Sequence, residues 1–233
     1  MLKTIIVTGG EGRFAKELKE ANTKYKFVFR NKRQLNILSP NSINKNLKQF
    51  KPQAVLHLAG LSRPMTIHES DINQSIDLNI IGTANLVKAC NGKKIKIIFI
   101  STSYVYPGKK GNYKENDPVL PWNNYGWSKL GAESTVQMYK NSLIIRACMT
   151  EKPFIHKHAF TNVKCNFIFH DEFIKKLLKI LKLKGVINVG GTSQSIYQFA
   201  KKYKKNVKKK ISKGELPPKI YMNLKKLNGL IKK

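Results

Sequence analysis

The stretch Thr4-Ile5-Ile6-Val7-Thr8-Gly9-Gly10-Glu11-Gly12-Arg13-Phe14-Ala15 decides the fold of this 233-residue chain. An apolar run typical of a buried strand passes into a glycine-rich turn and then into a helical pattern. Gly9 and Gly12 allow a tight turn and a close approach of the backbone to phosphate, and Ala15 lets the helix pack on the strand. The unpaired N–H groups of a helix N-terminus favour an anion. The stretch therefore predicts a loop that holds a pyrophosphate.

Strand-like and helix-like segments alternate through the first 150 residues. Apolar strands are predicted at 25–29, 54–59, 95–100 and 142–146, and helices at 75–90 and 125–139. Nearly continuous apolar strands separated by helices are typical of a parallel sheet that is covered on both faces. The predicted fold class is α/β, with a Rossmann-type doubly wound parallel sheet.

The alternation of strand-like and helix-like segments becomes less regular after residue 150. Helices are predicted at 173–183 and 195–205, with a strand and turn at 185–191 between them. We therefore predict two domains. Residues 1–150 form the dinucleotide-binding Rossmann domain, and residues 151–233 form a small C-terminal substrate-capping portion packed on it.

Composition excludes several classes of protein. Hydrophobic residues make up 41% of the chain and charged residues 24%, as in globular domains. No apolar run approaches the ~20 residues of a membrane span, and the N-terminal apolar run is too short for a signal peptide. Three scattered cysteines predict a reducing cytoplasm rather than a disulfide scaffold. His156, His158 and Cys165 lack the fourth ligand and the close pairing of a zinc site, so no metal is predicted.

The net charge of +31 is the most conspicuous bulk property. Only five of the 44 basic residues are arginines, whereas specific readers of nucleic acid rely on arginine. The lysines are spread over the whole chain, most densely in 201–213. We interpret them as a solvated surface that attracts nucleic acid non-specifically at low salt, and we predict no specific nucleic-acid partner.

Cofactor choice depends on the end of the second strand. NAD enzymes usually carry an acidic residue ~20 residues after the glycines, which holds the ribose 2′-hydroxyl. This chain has no Asp or Glu between Glu20 and Glu69, and the expected position carries Arg30, followed by Lys32 and Arg33. Cations suit a 2′-phosphate, so NADP(H) is favoured over NAD(H), which stays open.

A tyrosine and a lysine four residues apart supply a candidate acid–base pair. Tyr125 and Lys129 share one face of the predicted helix. A nearby ammonium group favours the phenolate and lowers the tyrosine pKa from its usual value of ~10. Several hydroxyl groups follow the apolar strand at 95–100, at the edge of the sheet where ligands bind in such folds.

Together, these motifs resemble one known family. The motifs are Gly-x-x-Gly-x-x-Ala, His57-Leu58-Ala59-Gly60, Asn79-Ile80-Ile81-Gly82-Thr83-Ala84-Asn85-Leu86, Ser101-Thr102-Ser103, Tyr125-Gly126-Trp127-Ser128-Lys129-Leu130-Gly131-Ala132-Glu133 and Arg146. The chain resembles extended short-chain dehydrogenases/reductases of the nucleotide-sugar type. It is most similar to dTDP-4-dehydrorhamnose reductases, strongly to about residue 146 and loosely beyond it.

The resemblance implies an NAD(P)-dependent reduction of a keto group on a nucleotide-activated sugar. It implies that Thr102 is the catalytic hydroxyl, Tyr125 the acid–base, and Lys129 the residue that also grips the nicotinamide ribose. It implies that the residues along the cofactor are Gly9, Gly12, Arg13, Phe14, Ala59, Gly60 and Leu61, with Asn79 supporting the active site. Arg63, Tyr104 and Cys148 are substrate candidates by position. A homodimer is a further expectation from the family.

Three features of the chain depart from the family pattern and bear on the substrate more than on the reaction, and two alternative functions stay open. Ser103 stands where the reductase signature is commonly acidic, Ala15 replaces a third glycine, and the chain is short for an extended member. One alternative is a nucleotide-sugar epimerase or dehydratase with tightly bound NAD. Another is a non-catalytic nucleotide- or RNA-binding protein on the same fold, motivated by the basic charge.

Overall fold

The computed structural model describes residues 2–232. The first part of the chain contains β1 (Thr4–Thr8), α1 (Arg13–Lys19), β2 (Lys26–Arg30), α2 (Pro40–Phe50), β3 (Ala54–His57), α3 (Ile67–Ser70), α4 (Ile72–Ser75), a π-helical segment (Ile76–Ile81), α5 (Gly82–Asn91), β4 (Lys96–Thr102), a 3₁₀ turn (Ser103–Val105), α6 (Asn124–Gln137) and β5 (Ser142–Ala147). The later part contains β6 (Met149–Thr150), β7 (His158–Phe160), β8 (Lys164–Cys165), β9 (Ile168–Phe169), α7 (His170–Ile180), β10 (Gly185–Val189), β11 (Gln194–Ser195), α8 (Ile196–Tyr203), β12 (Lys208–Lys210) and α9 (Lys225–Ile231). Each predicted strand and helix has a counterpart.

A six-stranded sheet with the order β10-β5-β4-β3-β1-β2 forms the centre of the fold. Strand β1 pairs in parallel with both β2 and β3, and β3 pairs in parallel with β4. The chain moves outward in one direction from β1 to β2 and then returns to the other side of β1 with β3. Ligands of open α/β sheets bind at such a reversal, beside the carboxyl ends of the strands. The predicted α/β class with a Rossmann-type parallel sheet is confirmed.

The sheet is built from strands whose side chains are apolar on both faces. Ile5, Ile6 and Val7 of β1 are each 0% exposed. One core cluster packs side chains of α2, α5 and α6 against strands β1, β3, β4 and β5. Side chains cap the N-termini of two helices that flank the sheet: the Ser39 hydroxyl accepts from Ser42 N at the start of α2, and the Asn123 carboxamide oxygen accepts from Gly126 N at the start of α6.

A π-helical segment interrupts the predicted helix at 75–90. Residues Ile76–Ile81 are π-helical, and the regular α-helix begins only at Gly82. Such segments are rare and often mark functional sites. Asn79, which the family resemblance places near the active site, lies buried inside this segment.

Contacts divide the chain into two units that interleave along the sequence. The first unit contains residues up to Ser101, together with Asn123–Ile145 and Leu181–Val186. The second contains Thr102–Trp122, Arg146–Ile180 and the residues from Ile187 onward. The predicted division at residue 150 does not follow these units, because the chain leaves the first unit after β4 and returns to it before α6.

The second unit contains three small two-stranded sheets. Strand β11 pairs with β8 in antiparallel orientation, whereas β12 pairs with β7 and β6 with β9 in parallel. A buried network joins Arg146, Tyr106 and Asn188: the Arg146 guanidinium donates to the Tyr106 hydroxyl at 2.7 Å, and that hydroxyl donates to Asn188 Oδ1 at 2.9 Å. This network joins the segment that follows the 3₁₀ turn to the C-terminal ends of strands β5 and β10.

Within residues 2–232, no helix has the length and apolar character needed to cross a membrane. No three His, Cys, Asp or Glu side chains within that range come together as metal ligands would.

Candidate active site

The glycine loop after β1 is packed so tightly that side chains are excluded. Gly9 has φ +66°, and a Cβ atom built on it would lie 2.8 Å from the Ala59 backbone nitrogen. A Cβ on Gly10 would lie 2.8 Å from the Arg30 nitrogen. The Gly12 N–H donates to Gly9 O at 2.9 Å and closes the turn. Sequence reasoning selected Gly9 and Gly12 but missed Gly10, whose role depends on the contact with β2.

Helix α1 begins directly after this turn. Gly12 is its N-terminal cap, and no side chain caps this end within the described part of the chain. Phe14 and Ala15 are buried, while Arg13 is exposed at the first helical position. The predicted strand–loop–helix unit is therefore present. The backbone N–H groups in the first turn of α1, at the loop, receive no hydrogen bond from a capping side chain.

Replacing Gly9 by alanine is expected to weaken binding of the predicted cofactor, NADPH, by about tenfold or more, because strain at a positive φ adds to a backbone clash. Gly229→Ala is the matched control. It lies in α9 with no atom within 4 Å of the added Cβ, so alanine fits there. Titration followed by nicotinamide fluorescence measures both affinities, and thermal unfolding reports folding. Unchanged NADPH affinity in a folded Gly9→Ala protein would contradict the role of the loop.

A chain of hydrogen bonds runs from the end of β1 to the π-helical segment. The Thr8 hydroxyl and His57 Nδ1 are 2.8 Å apart, His57 Nε2 and the Thr83 hydroxyl 3.0 Å, and Thr83 donates to Asn79 O at 2.6 Å. The Thr83 hydroxyl donates its only proton to Asn79 O, so it must accept the hydrogen bond from His57 Nε2–H. His57 Nδ1 therefore carries no proton and accepts from the Thr8 hydroxyl. Burial, aided by the charge of Lys129, lowers the His57 pKa to about 3, so this imidazole is neutral.

Asn79 continues this connection to the helix that carries the candidate acid–base pair. Its carboxamide oxygen accepts from Leu61 N at 2.7 Å, and its nitrogen donates to Leu61 O at 3.0 Å and to the Ser128 hydroxyl at 2.8 Å. Ser128 in turn donates to Tyr125 O at 2.9 Å. Gly60 has φ +149°, and a Cβ there would lie 2.7 Å from Asn79 Oδ1. The segment after β3 is thus held against α6 by one side chain.

Tyr125 and Lys129 lie one turn apart on α6, as their spacing predicts. Lys129 Nζ donates to Ile100 O at 2.7 Å and lies 4.1 Å from the centroid of the Phe99 ring. The Tyr125 side chain is half-buried. The lysine is therefore anchored at the carboxyl end of β4, the edge of the sheet where the fold binds its ligands.

Lys129 is half-buried. Burial lowers its pKa to about 7, and the Glu133 carboxylate opposes this shift. Glu133 is 0% exposed and accepts from the Ser101 hydroxyl at 2.7 Å. Lys129 is therefore divided between its charged and neutral forms near neutral pH, where sequence reasoning had assumed an ammonium ion.

His68 is a neighbour of Tyr125 that sequence reasoning missed. The two rings lie 5.0 Å apart between centroids, and His68 is 0% exposed. Its Nδ1 lies 2.5 Å from the Ser75 hydroxyl. Asn124 donates to the His68 carbonyl at 3.2 Å and to the Glu69 carboxylate at 2.6 Å, which fastens α3 to the first turn of α6. No motif marked this segment, so only the tertiary contact reveals it.

The remaining predicted residues are distributed over both units. Thr102 is the last residue of β4, is buried, and accepts from Tyr104 N at 3.2 Å. Tyr104 and Cys148 belong to the second unit, and the buried Cys148 thiol is hydrogen-bonded to Cys165. Arg63 belongs to the first unit and is exposed.

A cation and a carboxylate lie near the carboxyl end of β2. Arg30 Nε donates to Asn46 Oδ1 at 2.9 Å, and the guanidinium carbon lies 5.0 Å from the Phe50 ring centroid. Glu11, in the glycine loop, accepts from the Asn31 amide at 2.7 Å. Spacing in the sequence predicted Arg30 at this position but not Glu11. Glu11 lies in the loop before β2, and only the folded structure brings it to the end of that strand.

Comparison with known proteins places this site in a family. The sequence profile described as the RmlD substrate binding domain matches residues 3–150. The chain belongs to this family. The dTDP-4-dehydrorhamnose reductase of Aggregatibacter actinomycetemcomitans is 23% identical over 190 residues, which are 79% of this chain and 59% of that protein. The expected kinship with these reductases is confirmed.

A second group of relatives carries a different name. The methionine adenosyltransferase 2 subunit beta of Pongo abelii is 32% identical over 103 residues, or 44% of this chain. That match spans only 30% of the length of the relative. The RmlD family thus includes this chain, and its curated relatives carry both reductase and subunit names.

Solved structures share the whole fold. A dTDP-4-dehydrorhamnose reductase from Bacillus anthracis in complex with NADP has a TM-score of 0.87 at 22% identity, covering 98% of this chain and 91% of that one. A UDP-glucose 4-epimerase from Thermus thermophilus in complex with NAD has a TM-score of 0.76 at 16% identity, covering 97% and 92%. At such identities the likeness establishes the Rossmann-type fold.

Proposed function

We propose that this chain is an NADP(H)-dependent reductase that acts on a keto group of a nucleotide-activated sugar, as the names of its dTDP-4-dehydrorhamnose reductase relatives suggest. One observation carries the proposal. Lys129 is bonded to the end of β4, and Tyr125 is held one turn away by the connection from Asn79 through Ser128. This arrangement supports a role for the two side chains as an acid–base pair at the edge of the sheet where such folds bind ligands.

The glycine loop fits a dinucleotide. Gly9 and Gly10 leave a cradle in which any Cβ would strike backbone atoms, and the uncapped start of α1 follows it. The residues proposed to line the cofactor are Gly9, Gly12, Arg13, Phe14, Arg30, Ala59, Gly60, Leu61 and Asn79, with Tyr125 and Lys129. When bound, the reduced nicotinamide supplies a hydride.

Tyr125 is proposed to donate its phenolic proton to the carbonyl oxygen of the substrate as the carbonyl carbon is reduced. Lys129, in its charged form, stabilises the phenolate that remains. Thr102, at the end of β4, is proposed to donate a hydrogen bond to the same oxygen. The carbon gains a hydride and the oxygen gains a proton, so the product is the corresponding alcohol.

Net consumption of NADPH with dTDP-4-dehydrorhamnose tests this function. A reductase oxidises one NADPH for each sugar that it converts, and absorbance of the reduced nicotinamide measures this directly. Conversion of a nucleotide sugar without net consumption, with NAD retained through purification, would instead support an epimerase or dehydratase.

Arg30 is expected to favour NADPH over NADH. Its Nε is committed to Asn46, which leaves the terminal guanidinium nitrogens for a 2′-phosphate. Arg30→Ala is expected to reduce the preference for NADPH by about tenfold, since hydrogen bonds to charged groups contribute about 1.5–3 kcal/mol. Lys26→Ala, at the exposed opposite end of β2, is the control. Equal affinity of the wild-type protein for both cofactors would contradict the role of Arg30.

The name of the Pongo abelii relative supports a second candidate. The name is that of a subunit of another enzyme, so this relative serves in an assembly. For this chain, the candidate is a non-catalytic protein that binds a nucleotide. Tight binding of NADPH with no turnover of any keto sugar would favour it over the reductase.

A further inference from the structure

The lysine-rich segment 201–213 has no role in the proposed function. Eight of its 13 residues are lysines, and no Asp or Glu occurs in the sequence between Glu172 and Glu215. The segment contains the end of α8 and the whole of β12. Its lysines are exposed, apart from the half-buried Lys204. Positive charge is therefore concentrated on one part of the second unit.

Helix α8 and strand β12 meet at the ring of Tyr197. Strand β12 pairs with β7, and α8 lies against β7. Lys209 Nζ, from β12, lies 5.6 Å from the centroid of the Tyr197 ring on α8. An open groove follows α8 at this point, and each residue that lines it keeps exposed surface. The lining residues are Ser193, Gln194, Tyr197, Gln198, Lys201 and Lys202.

Carboxylates do not neutralise the charge at this groove. Within residues 2–232, no ion pair involves Lys201, Lys202 or Lys209. Lys201 Nζ donates to the Lys205 carbonyl at 2.9 Å, which orients the ammonium group but leaves its charge uncompensated. Three positive charges therefore border the groove and favour an anionic partner.

The other groups of the groove indicate which anionic partner fits. An aromatic ring accepts a stacked base of any kind, and lysines bind phosphates as point charges without reading base edges. No arginine follows Arg146, so this part of the chain lacks the side chain most often used for specific base contacts. An acidic peptide would satisfy the lysines but would not require the ring.

Uncharged hydrogen-bonding side chains favour RNA over DNA. The Gln198 carboxamide oxygen accepts from Ser195 N at 2.8 Å, which leaves the amide N–H groups available to a ligand. Ser193 and Gln194 line the same groove. The 2′-hydroxyl of RNA can hydrogen-bond to such groups, and DNA lacks it.

We propose that the groove along α8 binds single-stranded RNA without sequence preference. Lys201, Lys202 and Lys209 contact its phosphates, and Tyr197 stacks on one of its bases. This inference goes beyond the proposed function and does not depend on it, because none of these residues belongs to the proposed active site.

Reversing the three charges tests the place of binding. Fluorescence anisotropy of a labelled oligo(U) of about 20 nucleotides, at physiological salt, measures the affinity of the full chain. The triple variant Lys201→Glu, Lys202→Glu and Lys209→Glu is expected to weaken binding by about tenfold or more, because it removes three phosphate contacts. Circular dichroism checks that the variant is folded.

A second triple variant controls for net charge. Lys45→Glu, Lys48→Glu and Lys88→Glu change exposed lysines of α2 and α5 by the same total charge. This variant is expected to lose less than about threefold, because salt screens distant charges beyond about 8 Å.

Two substitutions of Tyr197 test the stacked base. Tyr197→Ala is expected to weaken oligo(U) binding by about tenfold, the usual effect of removing one base–aromatic contact. Tyr197→Phe keeps the ring and should bind as the wild-type protein does. These variants keep every lysine, so they test the groove even if the charge reversals unfold the chain.

Three results would overturn the proposal. Equal losses in the two triple variants would mean that net charge alone attracts RNA to the whole surface. A poly-glutamate peptide that binds as tightly as oligo(U), with no effect of Tyr197→Ala, would assign the surface to an acidic protein. Equal affinity for oligo(dU) would remove the preference for RNA. None of these results bears on the reductase function, which NADPH oxidation tests separately.

Discussion

Replacing Tyr125 by phenylalanine is expected to lower the turnover number by about 10²- to 10⁴-fold, the usual contribution of a positioned acid–base group. The variant loses only the phenolic hydroxyl, while its ring can keep the contact with His68. NADPH affinity should therefore stay nearly unchanged. Initial rates of NADPH oxidation with a keto sugar measure the loss, and nicotinamide fluorescence measures cofactor binding.

Tyr203→Phe is the matched control for this prediction. Tyr203 is 53% exposed at the end of α8 and is not one of the proposed site residues, so it undergoes the same chemical change without altering them. Its turnover number should equal that of the wild-type protein. Wild-type turnover in Tyr125→Phe, on a substrate that the protein reduces, would remove Tyr125 from the mechanism.

Lys129→Met is expected to lower kcat/KM by about 10²-fold and to remove an ionisation from its pH profile. Burial lowers the Lys129 pKa to about 7 in the protein without ligand, and kcat/KM reports the ionisations of that form. The charged amine is the form proposed to act. The wild-type kcat/KM should therefore fall as the pH rises through about 7, and this step should be absent in the methionine variant.

Lys129→Arg keeps a positive charge at this position but removes its titration near pH 7. Arginine stays protonated throughout this pH range, so the variant should keep part of the activity and lose the step near pH 7. If the step persists in Lys129→Met, another group produces it, and the account of Lys129 is wrong.

Local sequence was sufficient to predict the central sheet. The glycine stretch after β1 and the apolar runs of β3, β4 and β5 are continuous segments whose burial follows from their composition. The Tyr125–Lys129 pair was also predictable, because a spacing of four on a helix fixes a shared face. These features depend on neighbours along the chain.

Features that depend on distant neighbours were not predictable. Gly10 is excluded from carrying a side chain only because β2 lies against it, and His68 borders Tyr125 only because Asn124 fastens α3 to α6. Burial lowers the pKa of Lys129, and the Glu133 carboxylate partly offsets that lowering. Segment 102–122 joins the second unit through contacts such as the hydrogen bond from the Tyr106 hydroxyl to Asn188.

Transfer of deuterium tests the central claim most directly. The protein is incubated with dTDP-4-dehydrorhamnose and NADPH deuterated at the transferable C4 position, and the nucleotide sugar is analysed by mass spectrometry. The proposed reductase yields a product that carries one deuterium at the reduced carbon, together with an equal amount of NADP⁺. A recovered substrate without deuterium, or a converted sugar that carries none, would contradict hydride transfer by this protein.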